Sequence, residues 1–179
     1  RSMLQNIVDT CDTCVKYRKT PAKPAVGLPM ASDFNETVAV DLHEIQKGVW
    51  YLHIIDVFTR FSAGCILRSK KSTEFVKQFL RCWISVHGPP TRLFSDNGGE
   101  FNNEEVRDMA QNFNIEVKTT AAYSPWSNGL LERQNRTLTD MMLKIRHDNK
   151  GDWETSLNWA IMAKNALQNV YGFSPYQLV

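Results

Sequence analysis

The sequence predicts an α/β domain built on a five-stranded mixed sheet flanked by helices. Three observations carry that expectation. Residues 37–67 hold three β-prone runs with only brief connections between them. The apolar spacing then changes from a period of two to the 3.6 of an amphipathic helix. Beyond that point short strand-like runs alternate with helical stretches, the order that brings parallel members into a sheet.

Each element follows from its own pattern. Thr37 to Ile45 alternates, with Val38, Val40 and Leu42 on one face and Ala39, Asp41 and His43 on the other. Trp50 to Phe58 is almost wholly apolar, as a central strand buried on both faces would be. Ala63 to Leu67 is a third strand, and the short links make the three an antiparallel meander. Ser72 is placed to cap a helix bearing Phe75, Val76, Phe79, Leu80, Trp83 and Ile84, stopped by Gly88, Pro89 and Pro90. Thr91 to Ser95 is a fourth strand. Asn103 is placed to cap a helix with Glu104 and Glu105 in its first turn and Val106, Met109, Ala110 and Phe113 turned inward. Ile115 to Thr119 is the fifth strand. A long helix is expected from about Ser127 to His147, with Leu131, Leu138, Met142 and Ile145 on one stripe, and Asp152 caps a last helix through Leu157, Ile161 and Leu167.

A chain of 179 residues can bury one real core and carry a short extra segment. No apolar run approaches the roughly 18 residues of a membrane helix, and no signal peptide opens the chain. A soluble, intracellular protein without membrane association is expected. Cys65 and Cys82 fall inside apolar segments and only Cys11 and Cys14 are closely spaced, so reduced thiols are expected rather than a disulfide scaffold. The net charge is only +2, but it is unevenly spread. Residues 1–30 hold five Lys and Arg against two Asp, leaving the remainder at −1. A basic arm on a near-neutral body with clustered acids suits a protein that handles phosphates and metal ions together. It equally suits a solvated linker. Residues 16–32, with Pro21, Pro24, Gly27 and Pro29 among lysines, read as that linker, and the compact domain is expected over 33–179.

Three acids stand out by context. Asp41 sits mid-strand among Val38, Ala39, Val40 and Leu42, where an unpaired carboxylate is costly to bury. Asp96 directly follows the fourth strand, in Phe94-Ser95-Asp96-Asn97-Gly98-Gly99-Glu100-Phe101. Glu132 lies near the start of the long helix, and 35 residues separate it from Asp96. This arrangement resembles the DD(35)E signature of retroviral and long-terminal-repeat retrotransposon integrases. The run from Tyr123 through Trp126, Asn128 and Glu132 to Leu138 is similar to the retrotransposon version, and Gly172-Phe173-Ser174-Pro175-Tyr176 resembles that group's motif after the last helix.

The resemblance implies a ribonuclease H-like fold and a polynucleotidyl transferase of DNA integration, with 3′-end processing and strand transfer of element DNA. Asp41, Asp96 and Glu132 would be its catalytic and metal-binding residues. Two Mg²⁺ ions, with Mn²⁺ as substitute, would stabilise the entering and leaving oxygens of a phosphodiester, a task suited to hard carboxylate ligands. Asn97, Gly99, Asn128, Asn135 and Arg136 match positions that approach DNA. Element ends and target DNA are the implied partners, in the nucleus, with a homo-oligomer bringing two ends together. The late helices, through Trp153, Leu157 and Trp159, offer an apolar surface for such contact. Residues 1–15 would be the C-terminal remnant of a zinc-binding domain, in which Cys11 and Cys14 take Zn²⁺ only if two histidines precede Arg1.

Each candidate also has a plainer reading. Asn97 and Gly99 suit a simple turn, and Arg136 could pair with Glu132 or Asp140 on a solvated helix face. Glu44 and Glu100 are expected near the site as tuning or solvating groups, and His43 could line it. His53 and Asp56 read as satisfied core polar groups. Two other functions fit the same residues: a host-domesticated integrase derivative that binds DNA or a partner without catalysis, and a nuclease that only cuts.

Overall fold

The computed structural model describes residues 31–96, 98–119, 129–149 and 151–179. Its sheet has the strand order β3-β2-β1-β4-β5, formed by β1 (Thr37–Gln46), β2 (Val49–Asp56), β3 (Ser62–Leu67), β4 (Arg92–Ser95) and β5 (Glu116–Thr119). β1, β2 and β3 form the expected antiparallel meander, and β4 and β5 add in parallel beyond β1. The middle strand is therefore β1, with β2 one place out. β2 stops at Asp56 because that carboxylate takes the Thr59 N–H and hydroxyl, both at 2.7 Å, and the Asn35 N–H at 3.0 Å, turning the chain. Asp56 is thus the satisfied structural acid it was expected to be.

α1 (Ser72–Phe79) continues through a π-helical turn (Leu80–Ile84) into α2 (Ser85–His87). Ser72 does not cap it. Its hydroxyl donates to Glu105 Oε2 instead, and Lys71 takes the capping position without a side-chain bond. Gly88, at φ +79°, ends the helix as the sequence implied. α3 (Glu104–Asn112) is capped by Asn103, whose Oδ1 accepts from Val106 N–H at 3.0 Å. Val106, Met109 and Ala110 face inward as expected, but Phe113 lies beyond the last turn and is exposed. α4 (Gly129–Asn149) and α5 (Trp153–Leu167) follow, the latter capped by Asp152 through Thr155 N–H at 2.7 Å. The expected start of α4 at Ser127 lies outside the described residues, as do Cys11, Cys14 and the arm at residues 1–30.

The helices form two layers over the sheet. Val38, Val40, Leu42, Leu52 and Ile54 pack under α1 and α3, against Phe75, Phe79, Trp83 and Val106. The opposite face carries Ala39, Tyr51 and Ile55 beneath α4 and α5, against Leu131, Leu138, Met142, Leu157 and Ile161. Asp41 and His53 are cross-strand partners on this second face, the one that α4 covers. Leu157 belongs wholly to the core rather than to an outer surface, whereas Trp159 is exposed.

One close approach fixes the outer strand. A Cβ at Gly64 would lie 2.3 Å from the Leu52 carbonyl oxygen and 3.6 Å from Ile161 Cδ1. Only glycine lets β3 sit this tightly between β2 and α5. Gly64→Ala should therefore lower stability by about 1–3 kcal/mol through forced displacement of packed backbone, read from denaturant midpoints. An unchanged midpoint would mean that β3 has slack here.

Candidate active site

The site is built from strand ends and one helix. β1 carries Asp41 on the face beneath α4, and its parallel neighbour β4 ends one residue before Asp96. The two acids therefore lie at adjacent strands. Their proximity also shows in the electrostatics. Burial raises Asp41 above the usual carboxylate range, and the Asp96 charge raises it further. The Asn135 amide, His43 and the Leu42 N–H offset this in part.

One oxygen of each acid is already committed. Asp41 Oδ2 accepts from Asn135 Nδ2 at 2.5 Å, and Asp96 Oδ1 accepts from Gly98 N–H at 2.9 Å. Glu100 leans in beside Asp96, since a Cβ on Gly98 would meet both carboxylates, at 2.7 and 2.9 Å. Lys70 pairs with Glu100 at 3.5 Å while covering the Trp50 ring. Glu100 therefore stands at the site as expected. Glu44 does not, because its Oε1 closes the β1–β2 hairpin through Gly48 N–H at 2.8 Å. His43 shares the Asp41 face and meets Tyr51 edge-on, with ring centroids 5.6 Å apart.

α4 supplies the third acid. Its stripe of Leu131, Leu138 and Met142 is buried as predicted, with Ile145 partly so, and Glu132 is exposed beside Gly129, Arg133 and Arg136 in an open cleft. Among the described residues no three His, Cys, Asp or Glu side chains converge on one point. Asp41 and Asp96 lie near enough for their charges to interact, and Glu132 is exposed in the first turn of α4.

The DNA-contact expectations separate. Arg136 is exposed on the outer side of α4, and Gly99 has open space where a Cβ would be. Asn97 and Asn128 lie outside the described residues. Asn135 requires a correction. It matches a position expected to approach DNA, yet it is only 1% exposed and its side chain is hydrogen-bonded inside the protein. Its Nδ2 serves Asp41, and its Oδ1 lies 2.6 Å from His53 Nδ1. The cause is helical spacing: Asn135 falls between Leu131 and Leu138 at the i+4 and i−3 positions, which belong to the inward stripe. A polar residue inside such a stripe, opposite a strand bearing Asp41, was the available signal.

His53 is the group the sequence undervalued. It is satisfied in the core as expected, but through Asn135 on one side and the Ser62 hydroxyl, at 2.9 Å, on the other. Burial first, and the charge of Lys164 second, push it down to about 3, so its ring is neutral.

Comparison with known proteins agrees with this architecture. The integrase core domain family matches residues 32–125, more than half the chain. The chain belongs to the integrase core domain family. This integrase core is 28% identical over 148 residues to a Gag-Pol polyprotein of avian reticuloendotheliosis virus, covering 82% of the chain and 12% of the polyprotein. It is 30% identical over 164 residues to an uncharacterized Caenorhabditis elegans protein, K02A2.6, covering 91% of the chain and 12% of that protein. The chain thus spans about an eighth of the length of these relatives. In structure it resembles a chain of the simian T-cell lymphotropic virus intasome, solved with PP2A regulatory subunit B56 gamma. The TM-score is 0.79 and the identity 23%, over 97% of this chain and 64% of that one. It also resembles the HTLV-2 integrase catalytic core domain in complex with magnesium (dimeric form), with a TM-score of 0.71 and 22% identity over 82% and 97% of the two chains. These likenesses establish the ribonuclease H-like fold of integrase cores.

Proposed function

We propose that this integrase core is a metal-dependent polynucleotidyl transferase of DNA integration, trimming element 3′ ends and joining them to target DNA. The carrying observation is the Asp41–Asp96 pair, two carboxylates near enough that one raises the other. A protein stabilised only by its fold gains nothing from that repulsion. A divalent cation relieves it, and the donors are the hard oxygens that Mg²⁺ or Mn²⁺ prefers. Asp41 and Asp96 would hold such ions, with Glu132 joining them from α4. Once bound, two such ions would stabilise the charge developing on the entering and leaving oxygens of the phosphodiester.

The chain's own residues supply the remainder. Asn135 orients Asp41, and Gly98 orients Asp96 through its N–H. Arg133 and Arg136, flanking Glu132 in the open cleft, would hold DNA phosphates beside the carboxylates. Element ends and target DNA in the nucleus are the proposed substrates. A homo-oligomer is the proposed working form, with exposed Trp159, Met162 and Leu167 on α5 offering the apolar surface.

The deciding experiment is strand transfer by the full-length protein on matched terminal DNA with Mg²⁺ or Mn²⁺. Joined product supports the reading. DNA binding with neither trimming nor joining would instead support the domesticated, non-catalytic alternative, and trimming alone would support a nuclease.

The DNA face carries its own prediction. Arg136→Ala should weaken binding to any DNA sequence almost equally. The salt dependence should fall by about one phosphate contact, roughly 0.9 in the slope of log affinity against log salt. Fluorescence anisotropy across a salt series reads both quantities. Unchanged affinity and slope would make Arg136 a solvated surface charge.

A further inference from the structure

We propose that His53 is a positioning residue for this site. Held as its Nδ1–H tautomer, it fixes the Asn135 amide so that Asn135 donates to Asp41 and seats the Glu132 helix on β1. The inference rests on reading Asp41 and Glu132 as reacting carboxylates.

The chain of hydrogen bonds runs in one direction. The Asn135 amide turns Nδ2 to Asp41 Oδ2, a donor to an acceptor. Oδ1 of that amide then faces His53 Nδ1 and only accepts, so Nδ1 carries the ring proton. The neutral ring has one proton, so Nε2 is a lone pair and Ser62 Oγ donates to it. Ser62 is itself clamped. Its N–H donates to Asn165 Oδ1 at 2.9 Å, and its carbonyl accepts from Asn165 Nδ2 at 2.8 Å. Ser62, His53, Asn135 and Asn165 are each no more than 1% exposed, so the order is insulated from water.

Asp41 selects the Nδ2 end of the Asn135 amide, and His53 is the donor that holds its Oδ1 end. The Tyr51 hydroxyl lies 3.4 Å from both the backbone oxygen and Oδ1 of Asn135, too far to hold the amide firmly. Without His53, Oδ1 is left in the core with no firm donor, and the amide is free to tilt off Asp41. Asn135 is also one turn beyond Glu132 on α4, so its seat on Asp41 sets the rotation of the helix that carries Glu132. The chain therefore ends on a reacting group instead of closing among core atoms, and it ties α5, β3, β2 and α4 to β1.

Two substitutions separate positioning from packing. His53→Asn keeps an amide nitrogen near the place of Nδ1, facing Asn135. His53→Gln puts one near the place of Nε2, facing Ser62. Mn²⁺ binding to the metal-free protein is followed by electron paramagnetic resonance, alongside strand transfer and melting. With Gln, Mn²⁺ affinity should fall about 10–100-fold, the usual loss when a group orienting a metal ligand is removed. With Asn it should stay near wild type, although both variants lose core packing. Nitrogen-15 NMR of the unmutated protein should show His53 protonated at Nδ1 and bare at Nε2. Equal affinity losses in the two variants, or a proton at Nε2, overturn the inference alone. A wild-type protein that binds no Mn²⁺ overturns the carboxylate reading and this inference with it.

Discussion

Asp41→Asn, Asp96→Asn and Glu132→Gln should each reduce end trimming and joining to background, and their effects on stability should differ. Each change removes a negative charge and a hard ligand from a site proposed to hold two cations. Asp41 has a further consequence in the metal-free protein. Burial, then the Asp96 charge, puts its folded pKa above the unfolded value. Such a group contributes stability that is fully present below the unfolded pKa and lost as pH rises through the folded pKa. At neutral pH, above the unfolded value, the burial and repulsion at Asp41 therefore cost the apo fold stability. The amide introduced by Asp41→Asn would keep an acceptor for Asn135 and remove the repulsion. That variant should melt higher than wild type at pH 7, with the gap closing in acid. Glu132 is exposed on α4, and Glu132→Gln should leave the melting temperature unaltered. Near-normal joining by Asp96→Asn would refute the site. A lower apo melting temperature for Asp41→Asn would refute the electrostatic account.

The strands and helices were legible because their burial is periodic. The alternation through Val38, Val40 and Leu42 survives as one packed face, and the stripe through Leu131, Leu138 and Met142 as another. Caps at Asn103 and Asp152 could be read because a side-chain oxygen there meets free N–H groups of the first turn. Ser72 had the same chemistry but found Glu105, a partner 33 residues away that no local pattern reveals. The Asp41–Asp96 adjacency followed from strand order, since a parallel crossover places the end of β4 beside the middle of β1. The roles of Asn135 and His53 did not follow. Both are polar residues on apolar faces, and only the pairing of Asp41 with His53 across β1 and β2, with α4 laid over them, turns two isolated polar groups into one chain. Glu44 misled in the opposite sense: three residues from Asp41 along the strand, it lies on the other face and turns back to the hairpin.

Asn135→Ala is the second large effect, and its selectivity is the informative part. A residue touching DNA bases would, on truncation, narrow the preference between correct and incorrect ends. The buried Asn135 should instead lose joining on matched and mismatched ends alike, because what fails is Asp41 and the seat of the Glu132 helix. Truncation also strands the His53 Nδ1–H and removes the Asp41 donor, each buried group left unpaired costing about 1–3 kcal/mol. Melting should fall accordingly, unlike the expected rise for Asp41→Asn. If His53 acts through Asn135, then in the Asn135→Ala background His53→Asn and His53→Gln should no longer differ in Mn²⁺ affinity. Residues sharing one hydrogen-bond network couple in this way. A difference between the two that persists without Asn135 would mean His53 reaches Asp41 by another route. Joining that stayed normal on matched ends and rose on mismatched ones would return Asn135 to the DNA surface.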